Sequence, residues 1–506
     1  MAELWQCGSV NESKRARQRD IGHGMNRLFV ISNRVGPLND GATAGGLAVG
    51  IGDALRERGG VWFGWSGKTS EEGTFGPLQI KTDGEVQLAT VDLTPTDIEE
   101  FYSGFANQAL WPVFHYRIDL ASFERRFAEA FWRINERIAG RLRPLLKSDD
   151  VVWVHDYHFI PLGAQIRADG FAGPIGFFLH IPFPPPEILT ALPEAHRLIR
   201  TMLAYDVIGF QTWTDRGNFA RFLRSELGGI ELGGGWIEVE GRRIRADVFP
   251  IGIDAERFAN FAKTIEARGR LAQIRSRLHD RKLIIGVDRL DYSKGIPERF
   301  RAFSRMLGDD PEARGKVSFL QVAPLSRSEV RAYARLRREL EELAGNINGT
   351  YGQLDWTPIQ IMTRGFSRKG LAGLYRASHV ALVTPLRDGM NLVAKEYVAA
   401  QDPENPGVLV LSRFAGAAGE LREALIVNPH DIAEVSEKLQ QALNMPLAER
   451  KERWQALNET VRTVSAGRWS EEFLAALEGS RAAAEESSGK ARRGAEIVPL
   501  RSFKRR

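Results

Sequence analysis

Short runs of β-branched and aromatic residues recur along the chain, each bounded by polar or turn-forming positions. They fall at Leu28 to Ser32, Val151 to His155, Ile175 to His180, Val207 to Gln211, Val248 to Ile253, Leu283 to Val287, Phe319 to Ala323, Val380 to Val383, Val408 to Leu411 and Leu425 to Val427. Continuous apolar runs without strict alternation mark strands buried on both faces. Longer amphipathic segments lie between many of them, as at Phe123 to Leu146, where Phe127, Phe131, Ile134 and Ile138 recur at helical spacing. Strand and helix in alternation predict an α/β protein built from doubly wound parallel sheets. The pattern restarts after Ile253, where a polar helical stretch, Glu256 to Asp280, precedes a fresh strand at Leu283. Two domains divided near residue 253 are expected, and strand carboxyl ends facing each other would enclose a deep cleft.

The 506 residues are 43 % hydrophobic and 26 % charged, which supplies apolar surface for two large cores. The net charge of +5 sits mostly at one end: residues 487–506 carry seven basic groups against Glu496, and the body is near neutral. Charge therefore gives no case for a nucleic-acid groove, and the basic tail reads as a solvated element. Cys7 is the sole cysteine, so an intrachain disulfide and a cysteine metal cage are both excluded, in keeping with a cytoplasmic protein. The longest uncharged run, Gly170 to Pro186, contains five prolines and is too short to span a membrane. Met1 to Met25 lacks the apolar centre of a secretory signal, and segments 1–26 and 487–506 are expected to be unstructured.

Chemically competent side chains gather at the strand ends. Ser32-Asn33-Arg34 closes the first strand, and Ala44-Gly45-Gly46-Leu47 precedes an apolar helix. Adjacent glycines at such a turn let backbone amides approach a phosphate or a sugar. Gly50 and Gly52 lack the third glycine of a dinucleotide fingerprint. His155-Asp156-Tyr157-His158 and His180-Ile181-Pro182-Phe183-Pro184 close two further strands; three histidines could begin a metal site, but no carboxylate cluster or cysteine completes it. Arg289 and Lys294 share one tight turn with no neighbouring acidic pair to account for both, which suits a leaving diphosphate. Ser326-Arg327-Ser328-Glu329 has capping-box spacing, which predicts a helix start with Arg327 beside it. Thr384 to Glu396 reads as strand end, glycine loop and helix, with Asp388 in the loop and Glu396 on the helix behind it, two carboxylates suited to hydroxyls.

Taken in order, Ser32-Asn33-Arg34, Gly45-Gly46-Leu47, Trp62-Phe63-Gly64-Trp65, Trp111-Pro112-Val113-Phe114-His115-Tyr116, His155 to His158, His180 to Pro184, Arg289 to Lys294 and Asp388 to Glu396 closely resemble the trehalose-6-phosphate synthases, a family of retaining glucosyltransferases. The resemblance runs from Arg27 to about Leu477 and leaves the leader and the basic tail outside. It implies a GT-B fold: two facing Rossmann-like domains, the acceptor mostly on 27–253 and the nucleotide sugar mostly on 254–465, with a helix at 466–486 crossing back. It implies transfer of glucose from UDP-glucose to glucose 6-phosphate with retention, giving α,α-trehalose 6-phosphate and UDP.

By the same resemblance Asp156, His180, Arg289 and Lys294 form the reaction centre. Gly45, Gly46, Arg289, Lys294, Asp388, Gly389, Met390, Asn391, Leu392 and Glu396 would bind the donor, and Arg34, Trp65, Tyr102, Trp111, Asp156 and Arg327 the acceptor. No cofactor and no metal are expected, because Arg289 and Lys294 supply the charge neutralisation and no D-x-D pair is present. The partners implied are the two small-molecule substrates, with neither nucleic acid nor membrane; a homo-oligomer stays open. The motifs leave open whether the donor base is uracil, guanine or adenine. Two rival readings keep the architecture: an enzyme with another phosphorylated acceptor, such as glycerol 3-phosphate, and a non-catalytic nucleotide-sugar sensor.

Overall fold

The computed structural model describes residues 26–36, 46–71, 73, 75–327 and 330–494, and these form two sheets in succession. The strands of the first are β1 (Leu28–Arg34), β2 (Gly60–Thr69), β3 (Gln79–Asp83), β4 (Val86–Leu93), β5 (Val151–His155), β6 (Ile175–Phe178), β7 (Val207–Phe210), β8 (Ile230–Gly233), β9 (Trp236–Val239) and β10 (Arg242–Val248). They lie in the order β3-β4-β2-β1-β5-β6-β7-β10-β9-β8. The second sheet comprises β11 (Lys282–Val287), β12 (Val317–Val322), β13 (Ile359–Met362), β14 (Val380–Val383), β15 (Val408–Ser412) and β16 (Leu425–Val427), in the order β13-β12-β11-β14-β15-β16.

All neighbours in the second sheet are parallel, and strand order reverses between β11 and β14. The first sheet reverses in the same way between β1 and β5. A doubly wound sheet opens a crevice at the carboxyl ends of the strands flanking such a reversal, because the following helices leave toward opposite faces. The four chain segments leaving β1, β5, β11 and β14 are therefore where ligand chemistry belongs.

The central strands form where the apolar runs predicted them, since β5, β6, β7, β14 and β15 are buried along their whole length. Three expectations need correction. The first sheet is not wholly parallel: β3 pairs antiparallel with β4, and β8, β9 and β10 form an antiparallel edge. The run Val248 to Ile253 is not a strand beyond Val248; Pro250 removes a ladder donor, and Phe249, Ile251 and Ile253 are buried in an extended connector instead. The stretch Glu256 to Asp280 is two helices, Ala255–Phe261 and Ile265–Leu278, because Thr264 leaves the helical conformation and caps the second by accepting from the Ala267 amide.

The connector is bound to both halves. Buried Lys395 Nζ donates to the Ile251 carbonyl at 2.8 Å and pairs with Glu420 at 2.6 Å. Gly252 approaches Val464 so closely that a β-carbon would collide with the Val464 carbonyl. Helix Ala466–Gly494 follows at once, and its Trp469 and Phe473 rings pack 4.9 and 4.8 Å from that of Trp153 on β5. Its backbone runs on to Gly494, into the segment expected as tail; residues 1–25, with Cys7, and 495–506 lie outside the described residues.

Candidate active site

At the end of β5 the chain turns sharply. Asp156 adopts φ 71°, a left-handed conformation costly for a side chain with a β-carbon, on the order of 1–3 kcal/mol. Two hydrogen bonds hold it there: its amide donates to the Phe178 carbonyl at 2.8 Å, and its Oδ1 accepts from the His180 amide at 3.3 Å. Burial pushes the Asp156 carboxyl up to about 6, with the Arg327 and Arg289 charges pulling the other way.

His180 closes a relay of fixed direction. Gln211 Oε1 accepts from the Ile251 amide at 3.0 Å, which turns its Nε2 toward His180 Nδ1 at 3.3 Å. His180 Nε2 must then carry the ring proton and donate to His155 Nδ1 at 3.0 Å. Burial lowers His180 to about 3, so the ring is neutral with both nitrogens engaged. Among the described residues, no group of three or more His, Cys, Asp or Glu side chains could hold a metal ion.

Beyond β1, an aromatic wall continues from Arg34. Its guanidinium lies 5.5 Å from the Trp65 ring, which lies 5.7 Å from that of Tyr102. Tyr102 belongs to Ile98–Leu110, a helix with the wider π-type turns that recur at functional sites. Asn107 on that helix donates to the Tyr102 carbonyl at 2.7 Å and accepts from the Tyr157 hydroxyl at 2.8 Å. The Tyr157 hydroxyl in turn accepts from Arg327 at 3.2 Å, and the Arg327 guanidinium lies 3.9 Å from the Trp111 ring. Arg34, Trp65, Tyr102, Trp111 and Arg327 thus join in one continuous set of contacts, linked by Asn107, which lies in no motif, and by Tyr157, which lies in the His155 to His158 motif without an assigned role.

Arg327 does not stand at a helix start as predicted. The helix begins at Arg331 with Val330 as its N-cap, and Arg327 is in the preceding loop at φ 51°; Ser328 and Glu329 lie outside the described residues.

The second sheet contributes the turn after β11 and the loop after β14. Arg289 is exposed, 5.8 Å from the Trp111 ring, and makes no ion pair among the described residues. Lys294 is different. Its Nζ pairs with Asp388 Oδ2 at 2.5 Å, an acid 94 residues further along the chain, because the local acids Asp288 and Asp291 are paired with Arg299 and Arg327. Asn391 Nδ2 also donates to that oxygen at 3.0 Å, and Asn391, at φ 70°, is the N-cap of helix Leu392–Ala400. Met390 is buried beneath the loop. Burial pushes Glu396 up to about 7, with Arg368 opposing.

Behind both loops sits Arg299, which sequence reasoning missed because it reads as one more charge on an amphipathic helix. It is fully buried and pairs with Asp288 at 2.7 Å. Its remaining donors reach Thr384 Oγ1 at 2.9 Å and the Lys294 carbonyl at 2.9 Å, so one guanidinium fixes the ends of β11 and β14 and the turn between them and the cleft. Gly46 opens helix Gly46–Arg58, whereas Gly45 lies outside the described residues.

Comparison with known proteins agrees with this arrangement. A trehalose-6-phosphate synthase of Sinorhizobium fredii is 50 % identical over 453 residues, covering 89 % of this chain and 98 % of that protein. The crystal structure of a UDP-forming α,α-trehalose-phosphate synthase from Burkholderia xenovorans, in complex with glucose 6-phosphate, superposes with a TM-score of 0.87 at 49 % identity, covering 89 % of this chain and all of the other. An E. coli structure bound with UDP-2-fluoro glucose gives a TM-score of 0.85 at 47 % identity, covering 89 % of this chain and 98 % of that one. Two facing doubly wound sheets are the GT-B architecture that the motifs implied, and the profile of glycosyltransferase family 20 matches residues 38–479. The chain belongs to glycosyltransferase family 20.

Proposed function

We propose that this chain transfers glucose from UDP-glucose to glucose 6-phosphate with retention, giving α,α-trehalose 6-phosphate and UDP. The observation that carries the reading is two cationic sites at one cleft. Arg289, with no ion pair among the described residues, stands on the turn of the Lys294–Asp388 pair, and Arg327, from the loop after β12 of the same half, lies 3.9 Å from the Trp111 ring of the other half. Two phosphorylated substrates repel each other, and fixed cations aimed at each anion offset that repulsion without reorganising during the reaction. Relatives crystallised with glucose 6-phosphate and with a UDP-sugar analogue support the same pair of ligands.

Arg289 grips the donor diphosphate in a fork, and Lys294 adds a point charge shared with Asp388. Asp388 and the Gly389 to Leu392 backbone hold the donor glucose and phosphates, Gly45 and Gly46 are further donor-binding residues, and Glu396 accepts from the ribose hydroxyls. Arg34 and Arg327 take the acceptor phosphate, and Trp65, Tyr102 and Trp111 wall its sugar. In the chemical step, the bond from the anomeric carbon to the departing phosphate oxygen breaks, and the acceptor hydroxyl bonds to that carbon from the same face. The departing phosphate oxygen takes the hydroxyl proton. Asp156 orients the sugars at this centre, and His180 is a fixed neutral wall, since neither ring nitrogen is spare.

The test is product analysis by mass and NMR after incubation with UDP-glucose and glucose 6-phosphate in EDTA, with glycerol 3-phosphate as a parallel acceptor. An α,α-1,1-linked disaccharide phosphate is the expected product. Turnover with glycerol 3-phosphate alone would replace the acceptor, and binding without turnover would make the chain a sensor.

A further inference from the structure

Asp291 and Tyr333 have no part in the substrate contacts given above, yet they account for where Arg327 sits. Arg327 Nη1 donates to the Tyr333 hydroxyl at 2.7 Å and faces Asp291 Oδ2 at 3.3 Å. The Tyr333 hydroxyl donates onward to the same carboxylate oxygen at 3.0 Å. These contacts, with Tyr157 on Nη2 and the Trp111 ring 3.9 Å away, hold every part of the guanidinium except Nε, which is buried and has no partner among the described residues. An arginine left alone samples many rotamers, and ordering it opposes binding. Here the side chain of Arg327 is only 5 % exposed, and the ordering is done before any substrate arrives.

Asp291 also belongs to the turn that carries Arg289 and Lys294. Its Oδ1 accepts from the Ser293 amide at 3.0 Å and caps that turn. Against the pull of burial, Arg327 and Lys294 hold its carboxyl down at about 2, so it is an anion throughout the working range. One buried carboxylate thus binds the diphosphate turn with one oxygen and the acceptor-side arginine with the other.

We propose that Asp291 and Tyr333 are positioning residues for the acceptor phosphate: they fix the Arg327 guanidinium with its Nε edge spare and lock it in register with the Arg289–Lys294 turn. The inference rests on the reading in which Arg327 binds the phosphate of glucose 6-phosphate. It adds two residues that touch no substrate, and it makes the spacing between the two anion sites a property of one side chain, Asp291.

The experiment is steady-state kinetics on the full chain with UDP-glucose and glucose 6-phosphate, for Tyr333→Phe, Asp291→Asn, Arg327→Ala and the double variant Tyr333→Phe/Arg327→Ala, with UDP affinity measured by calorimetry. Tyr333→Phe removes one hydroxyl and should raise KM for glucose 6-phosphate about tenfold, the worth of a hydrogen bond to a charged group, while kcat stays within about twofold. UDP affinity should not move. Asp291→Asn should raise the same KM at least as far. In the Arg327→Ala background, Tyr333→Phe should add nothing, because its effect passes through the guanidinium; a merely structural role would persist there.

An unchanged KM in Tyr333→Phe, or an undiminished effect without Arg327, would overturn the inference while leaving the function intact. If Arg327→Ala itself leaves KM at the wild-type value, the phosphate assignment falls and the inference falls with it.

Discussion

Gly389 lies against His180 so closely that a β-carbon added to it would collide with the His180 carbonyl oxygen. The two residues belong to different sheets, Gly389 to the loop after β14 and His180 to the segment after β6. On its other side the Gly389 carbonyl meets Gly416 with equally little room. Backbone faces backbone, so no side chain can swing aside. Gly389→Ala should therefore separate the walls of the cleft without unfolding either half. We expect kcat/KM to fall by about 10²-fold, the cost of misplacing reacting groups by roughly 1 Å. Unchanged circular dichroism beside that loss would locate the effect at the cleft.

Two arginines ten residues apart on the chain should separate activity from stability. Arg289 is exposed and makes no ion pair among the described residues. Arg289→Ala should lower kcat by about 10²-fold, the order of one oxyanion contact, and leave unfolding free energy within about 0.5 kcal/mol. Arg299 is the reverse, fully buried with Asp288 4 % exposed at 2.7 Å. Arg299→Ala strands that carboxylate, and denaturant titration should show a loss of about 3–5 kcal/mol.

Activity should have an acid limb set by Asp156. Burial raises its carboxyl to about 6, and the ionised form is the one that orients hydroxyls at the reaction centre. Protons taken up as pH falls through 6 should then lower kcat/KM by about tenfold per unit. The sign for stability is opposite. A carboxyl whose folded value lies above its unfolded value binds its proton more tightly when folded, so acidification from pH 6 to 5 does not weaken the fold through this group. Activity lost between those values with native ellipticity retained is the expected result.

Donor affinity should respond to pH through Glu396. Burial raises it to about 7, and only its carboxylate can accept from two ribose hydroxyls. UDP affinity measured by calorimetry should weaken by about tenfold per unit as pH falls below 7. Glu396→Gln should bind UDP more weakly at pH 8 and lose that pH dependence.

How much of this was legible before folding depended on whether the signal was local. Strands such as Val380–Val383, buried on both faces, announce themselves as unbroken apolar runs, and the chemistry at their ends follows from where those runs stop. The edge strands β3 and β8 are exposed throughout, so no apolar run marks them. Lys294 looked unpaired because its acid lies 94 residues away. Nothing local marks Arg299 or Asp291 as buried. Their burial is created by strands that converge only in the fold. The left-handed conformations of Asp156 and Arg327 had no signal at all, since neither position is a glycine.

The contact between Gly252 and Val464 brings the two covalent passages between the halves of the molecule to a single spot. Bodies joined at two distant points resist rotation, but bodies joined at one place keep a rotational freedom about it. A rotation of one half against the other would need only torsion at residues beside that junction. Its displacement would be smallest there, where Trp469 and Phe473 pack on Trp153, and would grow with distance from it.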